Sequence, residues 1–250
     1  MIEVHPPDEP THTWKDFFIH IATIVVGLIL AVGLEQTVEA IHHRHQRTEL
    51  AEEMRDEAEY NLHLIEESQR ALETMVQYNQ ALKDALLAGK VSGNFVDVPG
   101  VQPPRVLATI NSPSQGVWHA AQASGIATLL PPEQVKLYDR AEFSAREANQ
   151  SEDAMYVAGS TLASECVRAN YRHKIPAISR ISLASRDALL FDVDQAIYSI
   201  NALMSRLALF QGDTEGVAKG ASSLDQVHAY QREALSGLKP NDSYSTFYGQ

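Results

Sequence analysis

Hydrophobic residues are arranged in two different ways along the first 88 positions of this chain. Residues 17–34 are apolar apart from His20 and Thr23, so a helix built from them is hydrophobic on every side. Between positions 35 and 88 the apolar residues recur at intervals of three, four or seven, the period of an amphipathic helix. No glycine or proline interrupts that second stretch. We therefore predict one long helix over residues 14–88 that passes through two different environments.

The apolar stretch 17–34 has the length of a minimal membrane span, because a helix rises roughly 1.5 Å per residue and these residues cover about 27 Å. Trp14 and Lys15 precede it, as interfacial anchors do. Two alternatives stay open. A cleavable signal peptide could use Ala31 and Gly33 before a cleavage site, although the leader is acidic and its one lysine is Lys15. A buried helix of a soluble protein is the other. We favour a transmembrane helix over residues 14–36, preceded by a disordered lead at 1–13.

One stripe of the apolar stretch carries polar and small residues. A histidine among lipid-facing carbons is costly, so His20 is expected to face a partner or water, unless it reaches the headgroups. Gly27 and Ala31 are spaced so that two helix backbones can approach closely. The predicted assembly stripe contains Asp16, His20, Thr23, Gly27 and Ala31, with Glu35 at its edge. It predicts a homo-oligomer or docking onto another membrane protein.

Basic and histidine residues cluster just beyond the apolar stretch, at His42, His43, Arg44, His45 and Arg47. A helix places positions 42 and 45 on one face, so a metal or haem site is conceivable. No carboxylate stands at a set spacing beside them. We favour a basic collar that contacts lipid headgroups, and we refer to these five residues as the collar.

The amphipathic stretch 35–88 is expected to pack against later helices of the same chain. Polar residues at Asn61, Ser68 and Asn79 interrupt its stripe and disfavour a simple two-stranded coiled coil. The stripe contains Met54, Ala58, Ile65, Leu72, Met75, Leu82 and Leu86. Residues 190–207 carry the cleanest matching pattern. That second pattern consists of Leu190, Val193, Ile197, Ile200, Met204 and Leu207.

Helix boundaries in the rest of the chain are predicted from capping and breaking residues. Pro113 is expected in the first turn of a short helix that carries Trp118 and stops near Gly125. A helix opened by Pro131 and Pro132 has its inner face at Val135, Tyr138, Ala141 and Ala145 and continues through Met155 and Leu162. The remaining predicted signals are a helix end at Gly89, a loop at 90–104, a break at Pro176, a helix start near Ser185, a turn between Gly212 and Gly216, a capping box of Ser223 with Gln226, a helix end at Gly237 and a tail at 239–250.

Composition and motifs exclude several functional classes. The 250 residues carry a net charge of −12, which is unfavourable for binding nucleic acid. Phosphate loops, zinc-ligand spacings, nucleophile elbows and dinucleotide fingerprints do not occur, so neither an enzyme nor a cofactor is expected. Cys166 is the only cysteine. It lies seven residues before His173, about two helical turns, so a small buried thiol is favoured over a catalytic pair.

A sequence resemblance supports the same architecture. The residues Trp14, Phe17, Val26, Gly27, Ala31, Glu35, Gln36, Val38 and Glu39 resemble a group of uncharacterised bacterial single-pass membrane proteins. A weaker similarity lies in Trp118, Ala121, Ser124 and Gly125, followed by a helix with Tyr138. The resemblance implies an anchor in the bacterial inner membrane and a helical extramembrane domain, and it supplies no catalytic residues.

These patterns together predict an all-α protein: a transmembrane helix continuous with a stalk that packs into a helical bundle over residues 37–238. The expected function is a non-enzymatic scaffold or accessory subunit. Alternatives are a ligand sensor with a pocket lined by Trp118 and Tyr138, or an ion- or proton-pathway subunit that uses Asp16, His20 and Glu35. One basic residue, Lys15, precedes the span and two, Arg44 and Arg47, follow it, so the charge difference slightly favours a cytoplasmic bundle. A short N-terminal anchor, however, often exports the domain attached to it. We favour a periplasmic bundle.

Overall fold

The computed structural model describes residues 14–88, 110, 113–173 and 183–238. The predictions for the lead at 1–13, Gly89, the loop at 90–104, Pro176 and the tail at 239–250 lie outside these residues. Five α-helices and one short 3-10 helix account for 92% of the described part, which contains no strand, so the all-α prediction is confirmed. The helices are α1 (Trp14–Ala88), α2 (Gly116–Ser124), the 3-10 helix (Ile126–Leu129), α3 (Pro132–His173), α4 (Leu183–Ala218) and α5 (Leu224–Ser236).

Helix α1 is a single helix of 75 residues, as the absence of helix breakers predicts. The chain divides into two compact units within this helix: one ends at Glu49 and the other begins at Leu50. The buried residues of α1 all lie between Leu50 and Leu86. They include the predicted stripe, except that Met75 is only partly buried. The amphipathic pattern therefore becomes a buried face only in the second unit.

Three hydrophobic clusters fill the bundle, and their membership fixes the directions of its helices. Met54 of α1 lies in one cluster with Tyr138 of α3 and Val217 of α4. The next cluster joins the same three helices through these residues: Leu72, Met155 and Leu203. The last joins them through Leu82, Leu162 and Val193. From the first of these clusters to the last, the residue numbers increase in α1 and in α3 and decrease in α4. Helix α3 therefore runs parallel to α1, and α4 runs antiparallel to both.

The predicted contact between the stalk and residues 190–207 is confirmed. Leu82 and Leu86 pack with Val193 and Ile197, and Leu72 packs with Ile200. An ion pair of 2.7 Å between Lys83 Nζ and an Asp194 carboxylate oxygen lies beside this contact. Neither helix could bury its apolar stripe alone in water, so each supplies the surface that the other needs.

Helix α2 lies at the end of the bundle where Leu50 and Met54 are buried. Its Trp118 and Ala121 belong to the cluster of those two residues. Gly125 ends it with a φ of 81°, a left-handed conformation that suits glycine, as predicted. The prediction of Pro113 in the first turn is wrong, because the helix begins at Gly116. The physical reason is that Glu57, on another helix, supplies the cap.

The predicted turn between Gly212 and Gly216 is also wrong, because α4 continues through both residues to Ala218. These glycines allow α5 to approach closely instead. A Cβ on Gly212 would lie 2.5 Å from the backbone of Gln231, and one on Gly216 would lie 2.7 Å from Val227. Helix interiors tolerate glycine at a cost of about 1 kcal/mol, which close helix packing can offset.

The predicted capping box at the start of α5 forms only in part. Ser223 is the N-cap, but its side chain makes no capping hydrogen bond. The Gln226 side chain reaches back to accept a hydrogen bond of 2.8 Å from the backbone N–H of Ser222. The reciprocal half of the box is therefore shifted by one residue. The helix ends before Gly237, as predicted.

Candidate functional site

The apolar segment of α1 is exposed on all sides. Ile24, Ile29 and Leu30 expose 65%, 64% and 68% of their surfaces, and they point in different directions around the helix. No residue in the most apolar part of this segment is buried. Among the described residues it is the one helix long and apolar enough to span a membrane. This exposure contradicts the alternative of a core helix buried within the described part of the chain.

Polar side chains in this segment make hydrogen bonds within α1 itself. The Thr23 hydroxyl donates to the carbonyl of Ile19 at 2.9 Å, and Nδ1 of His20 lies 3.1 Å from the carbonyl oxygen of Asp16. Bonds to the preceding turn satisfy the Thr23 hydroxyl and one ring nitrogen of His20 without a second helix. Asp16 is half-buried, whereas His20, Thr23, Gly27, Ala31 and Glu35 are exposed. The assembly stripe is thus accessible, and its role in assembly stays a prediction.

The collar is accessible as well. His43 is half-buried and its neighbours His42, Arg44, His45 and Arg47 are exposed. Nε2 of His43 lies 3.9 Å from a carboxylate oxygen of Glu39. Across the described ranges, no group of three or more His, Cys, Asp or Glu residues is placed to hold a metal ion. The collar therefore offers charge and hydrogen-bond donors but no preformed set of metal ligands.

Trp118 and Tyr138 belong to the core and do not line a ligand cavity. Trp118 is 0% exposed, and its ring centroid lies 5.2 Å from that of Tyr138. The Trp118 indole N–H donates to an Asp139 carboxylate oxygen at 3.1 Å. Burial raises the pKa of the Tyr138 hydroxyl. The pair fills the space that the sensor hypothesis needs for a ligand.

The sequence did not predict a set of hydrogen bonds through which side chains of α1 cap the start of α2. One carboxylate oxygen of Glu57 accepts hydrogen bonds from the Gly116 N–H at 2.9 Å and from the Ser114 hydroxyl at 2.7 Å. Asn61, one turn along α1, exchanges two hydrogen bonds of 2.8 and 2.9 Å with the backbone of Ser114. A carboxylate at a helix N-terminus is stabilising because the first N–H groups lack helical partners. Glu57 and Asn61 are four residues apart and therefore lie on one face of α1. Nothing in the sequence indicates that this face contacts Ser114.

A second polar cluster joins α3, α4 and α5 around Asp213, which is 2% exposed. Its carboxylate accepts a hydrogen bond of 2.7 Å from the Gln231 amide and one of 3.4 Å from the Arg140 guanidinium. Burial raises the pKa of Asp213, while its bond with Ser144 and the charge and bond of Arg140 oppose the rise. Arg140 is more than one-third exposed, so water screens its opposing charge. These contacts link α5 to α3 and α4.

The cavities near these clusters are small. One of about 10 Å³ lies between Glu57, Asn61, Gln115 and Thr214, and one of about 30 Å³ lies beside Arg140 and Asp213. A single water molecule needs roughly 10–15 Å³, so neither accommodates an organic ligand. An open surface depression of about 470 Å³ is lined by α3 alone, between Tyr156 and Arg168. A depression on one helix leaves most of any bound molecule in solvent, unlike a typical ligand pocket.

Cys166 is a partly buried thiol. Burial, with the negative charges of Asp192 and Glu165, raises its pKa to about 12. The thiolate is the nucleophilic form of cysteine, so the raised pKa keeps this side chain in its less nucleophilic, protonated form at neutral pH. The side chain of His173 lies outside the described part. The observation agrees with the prediction of a small packed thiol.

Comparison with known proteins adds no assignment to this geometry. No family model matches the chain, and neither a curated protein nor a solved structure shows significant similarity to it. The resemblance to bacterial single-pass membrane proteins therefore stays an expectation.

Proposed function

We propose that this protein is a membrane-anchored, non-enzymatic scaffold or accessory subunit that assembles with itself or docks on a membrane complex. The observation that carries the proposal is the apolar segment of α1, exposed around its whole circumference and continuous with the first helix of a packed bundle. Exposed apolar area of this extent is unfavourable in water, and a lipid bilayer covers it on every side at once. The bundle then stands outside the bilayer, on the periplasmic side of a bacterial inner membrane.

The assembly part of the proposal rests on the stripe that contains Gly27 and Ala31. His20 and Thr23 already have partners on their own helix, so hydrogen bonding does not demand a second helix. A second helix would then be held by close packing at the small residues, because helices in lipid associate through tight packing. A Cβ on Gly27 would meet nothing within 4 Å, so that side of the helix is open to a neighbour.

Anchoring is tested on the native protein in isolated membranes. The expected result is a chain of full intact mass that stays with the membrane after alkaline carbonate washing, because the acidic leader disfavours cleavage. Replacing Leu28 and Leu30 together with Asp should release the protein into the wash, since charges within a span are costly. A mature chain that begins near Leu34, or wild-type release by carbonate, contradicts anchoring.

Assembly is tested by comparing Gly27→Leu with Val25→Leu, which lies on the opposite side of the same helix. Gly27→Leu should reduce crosslinked or native oligomers in mild detergent by about tenfold, since bulk at the closest approach removes packing on the order of 1 kcal/mol or more. Val25→Leu should leave the distribution unchanged. If both variants match the wild type, the stripe does not mediate assembly and the protein is an anchored bundle only.

A further inference from the structure

Residues 35–49 of α1 form a short charged segment between the apolar stretch and the bundle. Every residue in it is exposed or half-exposed. Three glutamates and two arginines give it one net negative charge while its histidines are neutral, and two net positive charges once all three histidines are protonated. Histidine is the side chain whose charge ordinarily changes between about pH 5 and pH 8. Protonation of the three histidines therefore reverses the sign of the local charge.

The placement of these charges around the helix is uneven. At 3.6 residues per turn, Arg44 and Arg47 lie on one side, roughly opposite the side that carries Glu35, Glu39 and Glu49. His42 lies on the acidic side, and His43 and His45 lie at its two edges, with His43 next to Glu39. With neutral histidines, only the arginine side attracts an anionic surface. Protonation places positive charge around the whole circumference.

A bilayer surface surrounds a spanning helix on every side, whereas a protein partner contacts one side. His42 follows Leu34 by eight residues, about 12 Å along the helix, and the headgroup layer covers roughly 5–7 Å of that distance. The remainder is shorter than the screening length of about 8 Å at physiological salt, so the near end of the collar lies within electrostatic reach of the headgroups. Positive charge around the whole helix at this distance from the apolar stretch is complementary to an anionic lipid surface.

We propose that the collar binds anionic lipid headgroups more strongly on acidification, with Arg44 and Arg47 providing the constant attraction and His42, His43 and His45 the pH-dependent part. The inference rests on the proposed membrane anchoring. Within the described residues, the charged groups nearest to these histidines along α1 are Glu35, Glu39, Glu49 and the two arginines. Their carboxylates weaken the attraction at neutral pH, and the protonated histidines offset them.

The test uses the full chain reconstituted in phosphatidylcholine bilayers that contain spin-labelled phosphatidylglycerol or spin-labelled phosphatidylcholine. Electron paramagnetic resonance measures the fraction of each label that the protein immobilises, at about pH 8 and about pH 5. Phosphatidylglycerol stays anionic over this range. The preference for it over phosphatidylcholine should rise by about fivefold or more on acidification and disappear in high salt, as expected for added basic charge at an anionic surface.

Two triple variants separate the collar from other histidines. Replacing His42, His43 and His45 with Gln should remove the pH-dependent rise and keep the preference at about pH 8. Replacing His63, His119 and His228, which lie on bundle helices, should leave the rise intact. A wild type without a pH-dependent preference, or a collar variant that retains it, overturns the proposal. Absence of immobilised lipid of either kind contradicts the anchoring instead, so the two failures are distinguishable.

Discussion

The two halves of α1 provide hydrogen-bond partners for their polar side chains in different ways. Before Glu49, hydroxyl groups bond to the carbonyl four residues earlier, as Thr23, Thr37 and Thr48 do. After Leu50, some polar side chains also reach other segments of the chain, as the buried Asn61 does to Ser114 and the half-buried Gln69 to Gln211. The buried Asn79 still bonds to the Met75 carbonyl of its own helix. Only the bonds to other segments specify a neighbour. The first half can therefore stand in lipid as a single helix, whereas the second needs the rest of the bundle.

The largest expected effect comes from placing a charge in the bundle half. Leu72 is 0% exposed and packs with residues of α4. Leu72→Asp should destabilise the bundle by about 4 kcal/mol or more, because the carboxylate loses its water without gaining a partner. Ile197→Asp should act similarly in the neighbouring hydrophobic cluster, where Ile197 packs with Leu82 and Leu86. Thermal unfolding of the detergent-solubilised full chain measures both.

A matched control keeps that prediction specific to the bundle. Leu28→Asp introduces the same charge at an exposed position of the apolar half and should leave the unfolding of the bundle unchanged. Unaltered unfolding of Leu72→Asp and Ile197→Asp would show that these faces are not part of the core. Equal destabilisation by Leu28→Asp would show that the two halves unfold together.

A smaller effect is expected where a glycine allows two helices to approach. Gly212→Ala places a Cβ against the backbone of Gln231, so α5 must shift at a cost of about 1–3 kcal/mol. Gly159→Ala, on an exposed side of α3 with open space around it, should stabilise by roughly 0.5–1 kcal/mol. Chemical denaturation of the two variants compares them. Stabilisation by both substitutions would contradict the close contact of α5 with α4.

The smallest effect is a pH dependence that belongs to the bundle half. Burial raises the pKa of Asp213 in the folded protein above its unfolded value, so the folded state holds this proton more tightly. The contribution of Asp213 to the free energy of unfolding is thus fully present below about pH 4, the usual range of the carboxyl, and is lost as pH rises through the folded pKa. Asp213→Asn should abolish this loss. Denaturation of the wild type and the variant between about pH 3 and pH 7 measures it.

An increase in the free energy of unfolding with pH would also be informative. If the wild type gains stability over Asp213→Asn as pH rises, the hydrogen bonds from Gln231 and Arg140 outweigh the burial of the charge. The bundle would then depend on this ionised cluster to hold α5. A flat difference would indicate that the carboxylate keeps access to water.

Local patterns in the sequence determined much of this protein. The periodicity from Met54 to Leu86 identified the buried face of α1, and the matching pattern of residues 190–207 identified its partner. Gly125 and Pro132 marked helix boundaries correctly. Such features depend on neighbours within one or two turns, so the sequence alone contains the physical information.

Only the tertiary structure decided which polar groups meet. Glu57 caps α2 from a position 59 residues before Gly116, and Gln231 bonds to Asp213 from another helix. Gly212 was interpreted as a turn because a glycine in isolation signals flexibility, whereas here it makes room for α5. Caps and close approaches between distant segments depend on helix directions and separations. Those are set by burying several apolar stripes at once, and no local pattern encodes that joint solution.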